Sequence, residues 1–225
     1  MNDKTLKQII REELGLQPDN LTESYVTQAK VYNLSTELLS DKNKAEHQKL
    51  LEKYVSSLNE VSTKLDTVDR EEVNPNHSEF RSLKIDEVYN IKAAYLHALF
   101  FDNISDQRSI ITMDSLSFMR LERDFGSFDN WQKDFVACAL ASRNGWAVTV
   151  YNQMLKRYIN VTVDLHSHHV PIASTPIIVM DCWEHSYYRD YLSDRKTYVY
   201  GMMKEFDWKV IEERFKKAEK ISKID

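Results

Sequence analysis

The chain has 225 residues with a formal net charge of −5, 42% hydrophobic and 29% charged residues, and only four Gly and four Pro. This composition excludes wholesale disorder, and the charge excludes a general nucleic-acid footprint. The shortage of Gly argues against phosphate-cradling loops and for long helices, and no GxGxxG or Walker-type run occurs. Two cysteines, Cys138 and Cys182, make no disulfide framework and fit a reducing compartment. No stretch of about 20 apolar residues is present, so no membrane span is expected. The first residues, MNDKTLKQIIREELGL, carry charges through their apolar pattern and hold no signal-peptide core. A soluble, intracellular protein is the default reading, cytoplasmic unless carried in an organelle or particle assembly.

Leu6, Ile9, Ile10 and Leu14 recur at helical spacing before Gly15 and Pro18, predicting a short amphipathic helix over 4–14. Such a stripe docks either on the chain's own core or on a partner. From Leu21 to about Leu65 the pattern is again helical, with His47, Leu50, Leu51, Tyr54, Val55 and Leu58 on one face. Residues 67–78, charged and containing Asn74-Pro75-Asn76, read as a loop. Another helix is expected from Glu79 to Asp102, with Val88, Ile91, Ala94, Tyr95 and Leu99 as its packed stripe and His97 close by. The two long helices suggest an antiparallel hairpin.

Asp129 to Ser142 reads as a helix ended by Gly145. Trp146–Asn152 and Arg157–Leu165 read as an antiparallel strand pair. Thr175–Cys182, nearly all apolar, reads as a third and central strand. Tyr187–Glu205 and Trp208–Ile221 are expected as helices. The coarse picture is a helical first half and an α+β second half.

Asp181-Cys182-Trp183-Glu184-His185 is the informative run. An Asp and a His four apart at a strand-to-helix exit can share one metal. His47 and His97, each beside the stripe of a long helix, read singly as core histidines. Together with Asp181 and His185 they make a mononuclear site of imidazoles and one carboxylate, suited to Fe or Mn. The cysteines read as buried small hydrophobes.

The order His47, His97, Asp181-x-Trp183-Glu184-His185 resembles the iron/manganese superoxide dismutases. The likeness spans about residues 36–216 and is anchored by Pro176-Ile177-Ile178-Val179-Met180-Asp181-Cys182-Trp183-Glu184-His185 through Tyr191. Supporting phrases are Asp124-Phe125-Gly126-Ser127-Phe128, Asn144-Gly145-Trp146-Ala147, Lys53-Tyr54-Val55 and Phe206-Asp207-Trp208. The resemblance implies an α+β fold: a long helical hairpin, then a three-stranded antiparallel sheet flanked by helices. The corresponding division is an N-terminal extension over 1–35, a hairpin domain over 36–110 and an α/β metal-binding domain over 111–225.

The resemblance also implies one Fe or Mn ion per subunit, with His47, His97, Asp181 and His185 as ligands. Tyr54 falls on the family's gateway tyrosine, Glu184 on the glutamate that crosses the dimer interface, and Tyr188 on an interface tyrosine. Trp146 and Trp183 fall on aromatic walls of the metal pocket. This chain departs from the best-known members in three ways. His47 stands seven residues before Tyr54 rather than eight, where Glu46 stands. Leu50 and Leu51 occupy the region of the gateway histidine. The glutamine that neighbours the metal is missing, with Ala93 at the iron-type position and Leu165-His166-Ser167-His168-His169 in the manganese-type region. His166 is the first candidate to replace it and His168 the next. The other reading places all three histidines on the surface.

The implied reaction is the dismutation of superoxide to dioxygen and hydrogen peroxide in a homodimer or higher homo-oligomer. Lys53 and Arg189 are candidates for steering the anion. The alternative is a non-catalytic or residual-activity member of the fold serving a larger ribosome-like or virus assembly, with residues 1–35 binding the partner.

Overall fold

Serine side chains open four of the helices, and their positions set the layout of the molecule. Ser40, Ser78, Ser115 and Ser127 each accept a hydrogen bond from the backbone N–H three residues on. Each thereby satisfies one of the N–H groups that a helix start leaves without a partner. The computed structural model describes residues 27–105 and 109–221. The helix expected over 4–14 lies outside them.

Two long helices come first, α1 (Asp41–Thr67) and α2 (Glu79–Ile104), joined by a loop over 68–78. Two shorter helices follow, α3 (Leu116–Phe125) and α4 (Phe128–Ala141). Gly126 separates them at φ +81°, a left-handed conformation that a side chain would strain. The sheet is built from β1 (Gly145–Asn152), β2 (Arg157–Asp164) and β3 (Ser174–Asp181). Helices α5 (Glu184–Tyr191), α6 (Arg195–Met202) and α7 (Trp208–Ile221) complete the order. The expected α+β architecture, a helical hairpin followed by a three-stranded antiparallel sheet with flanking helices, is present. One continuous apolar core runs from Leu51, Val55, Phe100 and Phe101 of the hairpin into β1, β3 and Phe215 of α7. A smaller cluster, Val61, Leu65, Val68 and Leu83, closes the far end of the hairpin.

Five local expectations are corrected. The first long helix starts at Asp41, not near Leu21. Described residues before it are not helical, and Leu34 bridges to Ser105. The expected stripe of α2 packs only in part: Leu99 is buried and Ala94 lies against the core, but Val88, Ile91 and Tyr95 are 41, 42 and 50% exposed. Its inward face carries Leu83, Asn90, Ala93, Leu96, His97, Leu99, Phe100, Phe101, Asn103 and Ile104. The helix is apolar on two sides, so periodicity alone could not choose, and contact with α1 and β3 decided. Helix α3 was not expected at all. Its polar outer face hides a short stripe around Leu121.

The central strand is β1, not β3, in the order β2-β1-β3. All eight residues of β1 are buried. Apolar β3 is tolerated at the sheet edge because side chains cover it. Asn103 donates to the Val179 carbonyl at 2.7 Å, and Arg214 donates to the Ile177 carbonyl at 3.0 Å. The helix expected over 187–205 is two helices. Leu192 takes φ +50°, and Asp194 then caps α6 by accepting the Thr197 N–H.

Gly145 is fixed by close approach. A Cβ there would lie 2.0 Å from the Val163 carbonyl oxygen. This lets β1 pair tightly with β2, Gly145 opposite Asp164, while Trp146 lies opposite Asp181 across the other ladder. The sheet thus places Trp146 beside the end of β3.

Candidate metal centre

Four elements converge on Asp181, the last residue of β3. Its backbone carbonyl accepts hydrogen bonds from the Tyr198 hydroxyl at 2.8 Å and from Ser186 Oγ at 3.2 Å. Its Oδ1 accepts the Trp183 N–H at 2.9 Å. These contacts leave Oδ2 facing inward. His47 Nε2 from α1 lies 3.1 Å from that oxygen, His185 Nε2 from α5 3.2 Å, and His97 Nε2 from α2 3.5 Å. His97 Nε2 and His185 Nε2 are 3.4 Å apart.

The helix starts hold this geometry. Asn43 donates to Asp190 Oδ2 at 2.8 Å and to the Ser186 carbonyl at 3.1 Å, and the Ser40 N–H donates to the same Asp190 oxygen at 3.0 Å. This clasp locks the first turn of α1 against α5, so His47 faces His185. On α2 the Ala93 carbonyl accepts the His97 Nδ1–H at 2.7 Å, which leaves Nε2 as a bare lone pair.

Burial lowers the pKa of His47, against the pull of Asp181, and lowers that of His97 further still. Burial alone would raise Asp181. The charge and hydrogen bond of His185, then those of His47, outweigh it and hold the carboxyl well below the usual carboxylate range. Burial therefore favours the neutral form of His47 and His97, while the Asp181 carboxyl stays ionised.

That donor set fits a metal ion. Three ring nitrogens crowd one carboxylate oxygen, and two of them face each other with too few protons to bond pairwise. His47 Nδ1 is buried without a hydrogen-bond partner. The donor atoms of all four residues lie within 4.8 Å of one another, and this is the one such group among the described residues. Edges of 3.1–3.5 Å suit donors that sit ~2.0–2.2 Å from a shared centre.

The surroundings are aromatic. Trp146, fully buried, meets His97 edge-on at 4.8 Å. Trp183 stacks on His185 at 5.5 Å and on His166 at 4.9 Å. Phe101 meets the His47 ring edge-on at 4.8 Å. Such walls keep the local dielectric low, which strengthens every charge interaction inside.

His166 is fully buried, whereas His168 and His169 are exposed. The split is made at Leu165, whose φ of +55° turns the chain inward directly after β2. The Trp146 indole N–H donates to His166 Nδ1 at 3.0 Å. That assigns the ring proton to Nε2, which donates to the Tyr54 hydroxyl at 3.0 Å. Burial lowers the His166 pKa to about 4, so the ring is neutral. Burial, and then Tyr89 and Asp181, push the half-buried Tyr54 phenol far above its ordinary value.

Glu184 and Tyr188 stand apart from the four donors. Both are exposed and line a cleft of about 450 Å³ with Glu46, Leu50, Arg189 and the outer edges of His47 and His185. Lys53 is also exposed but does not line that cleft. Sequence reasoning missed Tyr89, whose ring lies 4.8 Å from His166 and 6.3 Å from Tyr54. Its spacing of eight from His97 on one helix was the available signal. It also missed Asn43 and Asp190, which position donors without touching them, and Tyr198, which holds the Asp181 backbone carbonyl; none carries a sequence signal of that role.

Residues 116–214 match the family model for the C-terminal domain of iron/manganese superoxide dismutases. A protein of Aquifex aeolicus named "Superoxide dismutase [Fe]" is 34% identical over 170 residues, covering 74% of this chain and 79% of that one. One of Halobacterium salinarum named "Superoxide dismutase [Mn] 2" is 34% identical over 155 residues, covering 69% and 75%. A second from that organism, "Superoxide dismutase [Mn] 1", is 38% identical over 133 residues, covering 59% and 66%. With a relative of that identity and coverage, and with three histidines and one aspartate meeting where the resemblance placed them, this chain belongs to the iron/manganese superoxide dismutase family.

Proposed function

We infer that this chain is a superoxide dismutase working with one Fe or Mn ion, held by His47, His97, Asp181 and His185. The observation that carries this is the convergence of three imidazoles on one buried carboxylate oxygen. Relatives are named "Superoxide dismutase [Fe]" and "Superoxide dismutase [Mn] 2". The reading as a non-catalytic scaffold is not favoured, because loss of donors is what would mark it and all four are present.

When bound, the metal supplies one-electron chemistry between trivalent and divalent states, so one superoxide is oxidised to dioxygen and the next reduced to hydrogen peroxide. The chain's own residues do the rest. Asp181 would contribute the single negative charge of the donor set, which would leave a trivalent ion electropositive enough to attract an anion. Trp146, Trp183 and Phe101 exclude bulk water from the donors. His166 holds Tyr54 in place from Nε2, and Tyr54 keeps its proton at the hydroxyl oxygen. This pair is suited to passing protons to the peroxide product, and both are assigned here as catalytic. No helix of the described residues is long and apolar enough to cross a membrane.

The functional unit is proposed as a homodimer through the face that carries Glu184 and Tyr188. Glu184 would reach the partner's last ligand histidine, and the cleft lined by Arg189 would become the approach route. An intracellular location follows the reducing character of the two free thiols.

The test is direct. The purified protein should bind close to one Fe or Mn per chain and consume superoxide. His97→Ala and His185→Gln should each lower metal affinity at least about tenfold. Metal-free protein with no activity after Fe or Mn reconstitution refutes the function. Full metal content in both variants refutes the ligand set.

A further inference from the structure

Ile85, Val88, Ile91 and Tyr95 form an apolar strip along α2, 49, 41, 42 and 50% exposed. Their spacing puts them on the side opposite Ala93, His97 and Phe100, which α2 buries. Four large apolar residues in one strip mark a contact surface more than scattered exposure does. We propose that the chain's own first residues, through Leu6, Ile9, Ile10 and Leu14, seat on this strip.

The described chain begins on the neighbouring helix α1, level with one end of the strip. The Thr27 N–H donates to Asn59 Oδ1, and its carbonyl accepts from Asn59 Nδ2, each at 2.9 Å. Helices α1 and α2 run antiparallel with Tyr54 against Tyr89 and His47 against His97. That register places Asn59 level with the turn around Ile85. Lys30 bonds Asp102 at 3.0 Å, and Asp102 is two turns from Tyr95 on the same side of α2. Residues 27–30 therefore run along α1 over the length of the strip, and the Lys30 side chain reaches α2 at Asp102.

Length and pattern match as well. Residues 15–26 separate Leu14 from Thr27, a tether of up to ~40 Å at ~3.3 Å per residue. At helical rise, Leu6 to Leu14 spans ~12 Å and Ile85 to Tyr95 ~15 Å. Gly15 and Pro18 end the apolar pattern where the tether must turn. Glu12 and Glu13 would meet Arg81 at the Ile85 end of the strip, so the segment lies antiparallel to α2 with Leu6 near Tyr95. A tethered occupant is present at roughly millimolar effective concentration, which favours it over a second copy at ordinary concentrations.

The test is disulfide trapping in the full chain, in a Cys138→Ser background; Cys182 is buried. Leu6→Cys with Tyr95→Cys should form an intrachain bridge at least about tenfold faster than Leu6→Cys with Ile85→Cys. Covalent dimers as the main product at low protein concentration overturn the proposal in favour of a second copy on the strip. Equal, slow oxidation of both pairs overturns it in favour of a bare strip. A second measurement needs no cysteine. Ile9→Asp should lower hydrogen-exchange protection over residues 85–95, and unchanged protection refutes the docking.

Discussion

Trp146→Phe probes the link between the sheet and the metal centre. The substitution keeps an aromatic ring against His97 and removes the indole N–H that His166 Nδ1 accepts at 3.0 Å. Both residues are fully buried, so no water replaces the lost donor. Stranding a buried acceptor costs about 1–3 kcal/mol. Losing the indole's second ring vacates on the order of 40 Å³, worth about 1 kcal/mol at ~24 cal/mol per Å³. The expected destabilisation is therefore about 2–4 kcal/mol, read as a shift of the urea midpoint at unchanged slope. Turnover should fall too, because His166 becomes free to take the other tautomer and withdraw its proton from Tyr54. His166→Gln is the complementary change. Its amide offers Trp146 an acceptor and Tyr54 a donor, so stability should stay within about 1.5 kcal/mol of the parent. The ring tautomer is read by ¹⁵N chemical shifts. A His166 protonated at Nδ1 in the parent protein, or a Trp146→Phe shift below about 0.5 kcal/mol, refutes the reasoning.

Three further expectations follow from the geometry. Gly145→Ala drives a Cβ into the Val163 carbonyl and should cost at least about 2 kcal/mol by denaturant unfolding, and parental stability would mean the strand contact is not as tight as described. Asp190 is raised by burial but held lower by its hydrogen bonds from Ser40 and Asn43, so its folded pKa is depressed. The stability it adds is present above the unfolded carboxyl value near ~3.9 and is lost as pH falls through the lower folded value. The parent should therefore exceed Asp190→Asn in urea midpoint at neutral pH and match it in strong acid, and a gap that is constant with pH contradicts this. Arg189→Glu, at the cleft beside His185, should slow reaction with superoxide between about three- and tenfold and reverse the effect of added salt, whereas an unchanged rate at low ionic strength removes the steering role.

Residue types and spacing were enough for the identity of the donors, the hairpin, the three strands and the last helix. Each rests on short-range physics: imidazole and carboxylate chemistry, the 3.6-residue stripe around His47, and β-rich runs broken by turns. Tertiary structure decided what depends on contact between distant elements. Helix α2 is apolar on two sides, and only packing on α1 and β3 chose which side holds His97. Apolar β3 could stand at the sheet edge because Asn103 and Arg214 cover its carbonyls. Of three adjacent histidines, a left-handed Leu165 turned His166 alone inward, onto an indole N–H supplied from the neighbouring strand. The net charge of −5 excluded a broad anionic partner but not a local site for one small anion. Buried imidazoles around a single carboxylate set the charge where the reaction takes place, and the surface total does not.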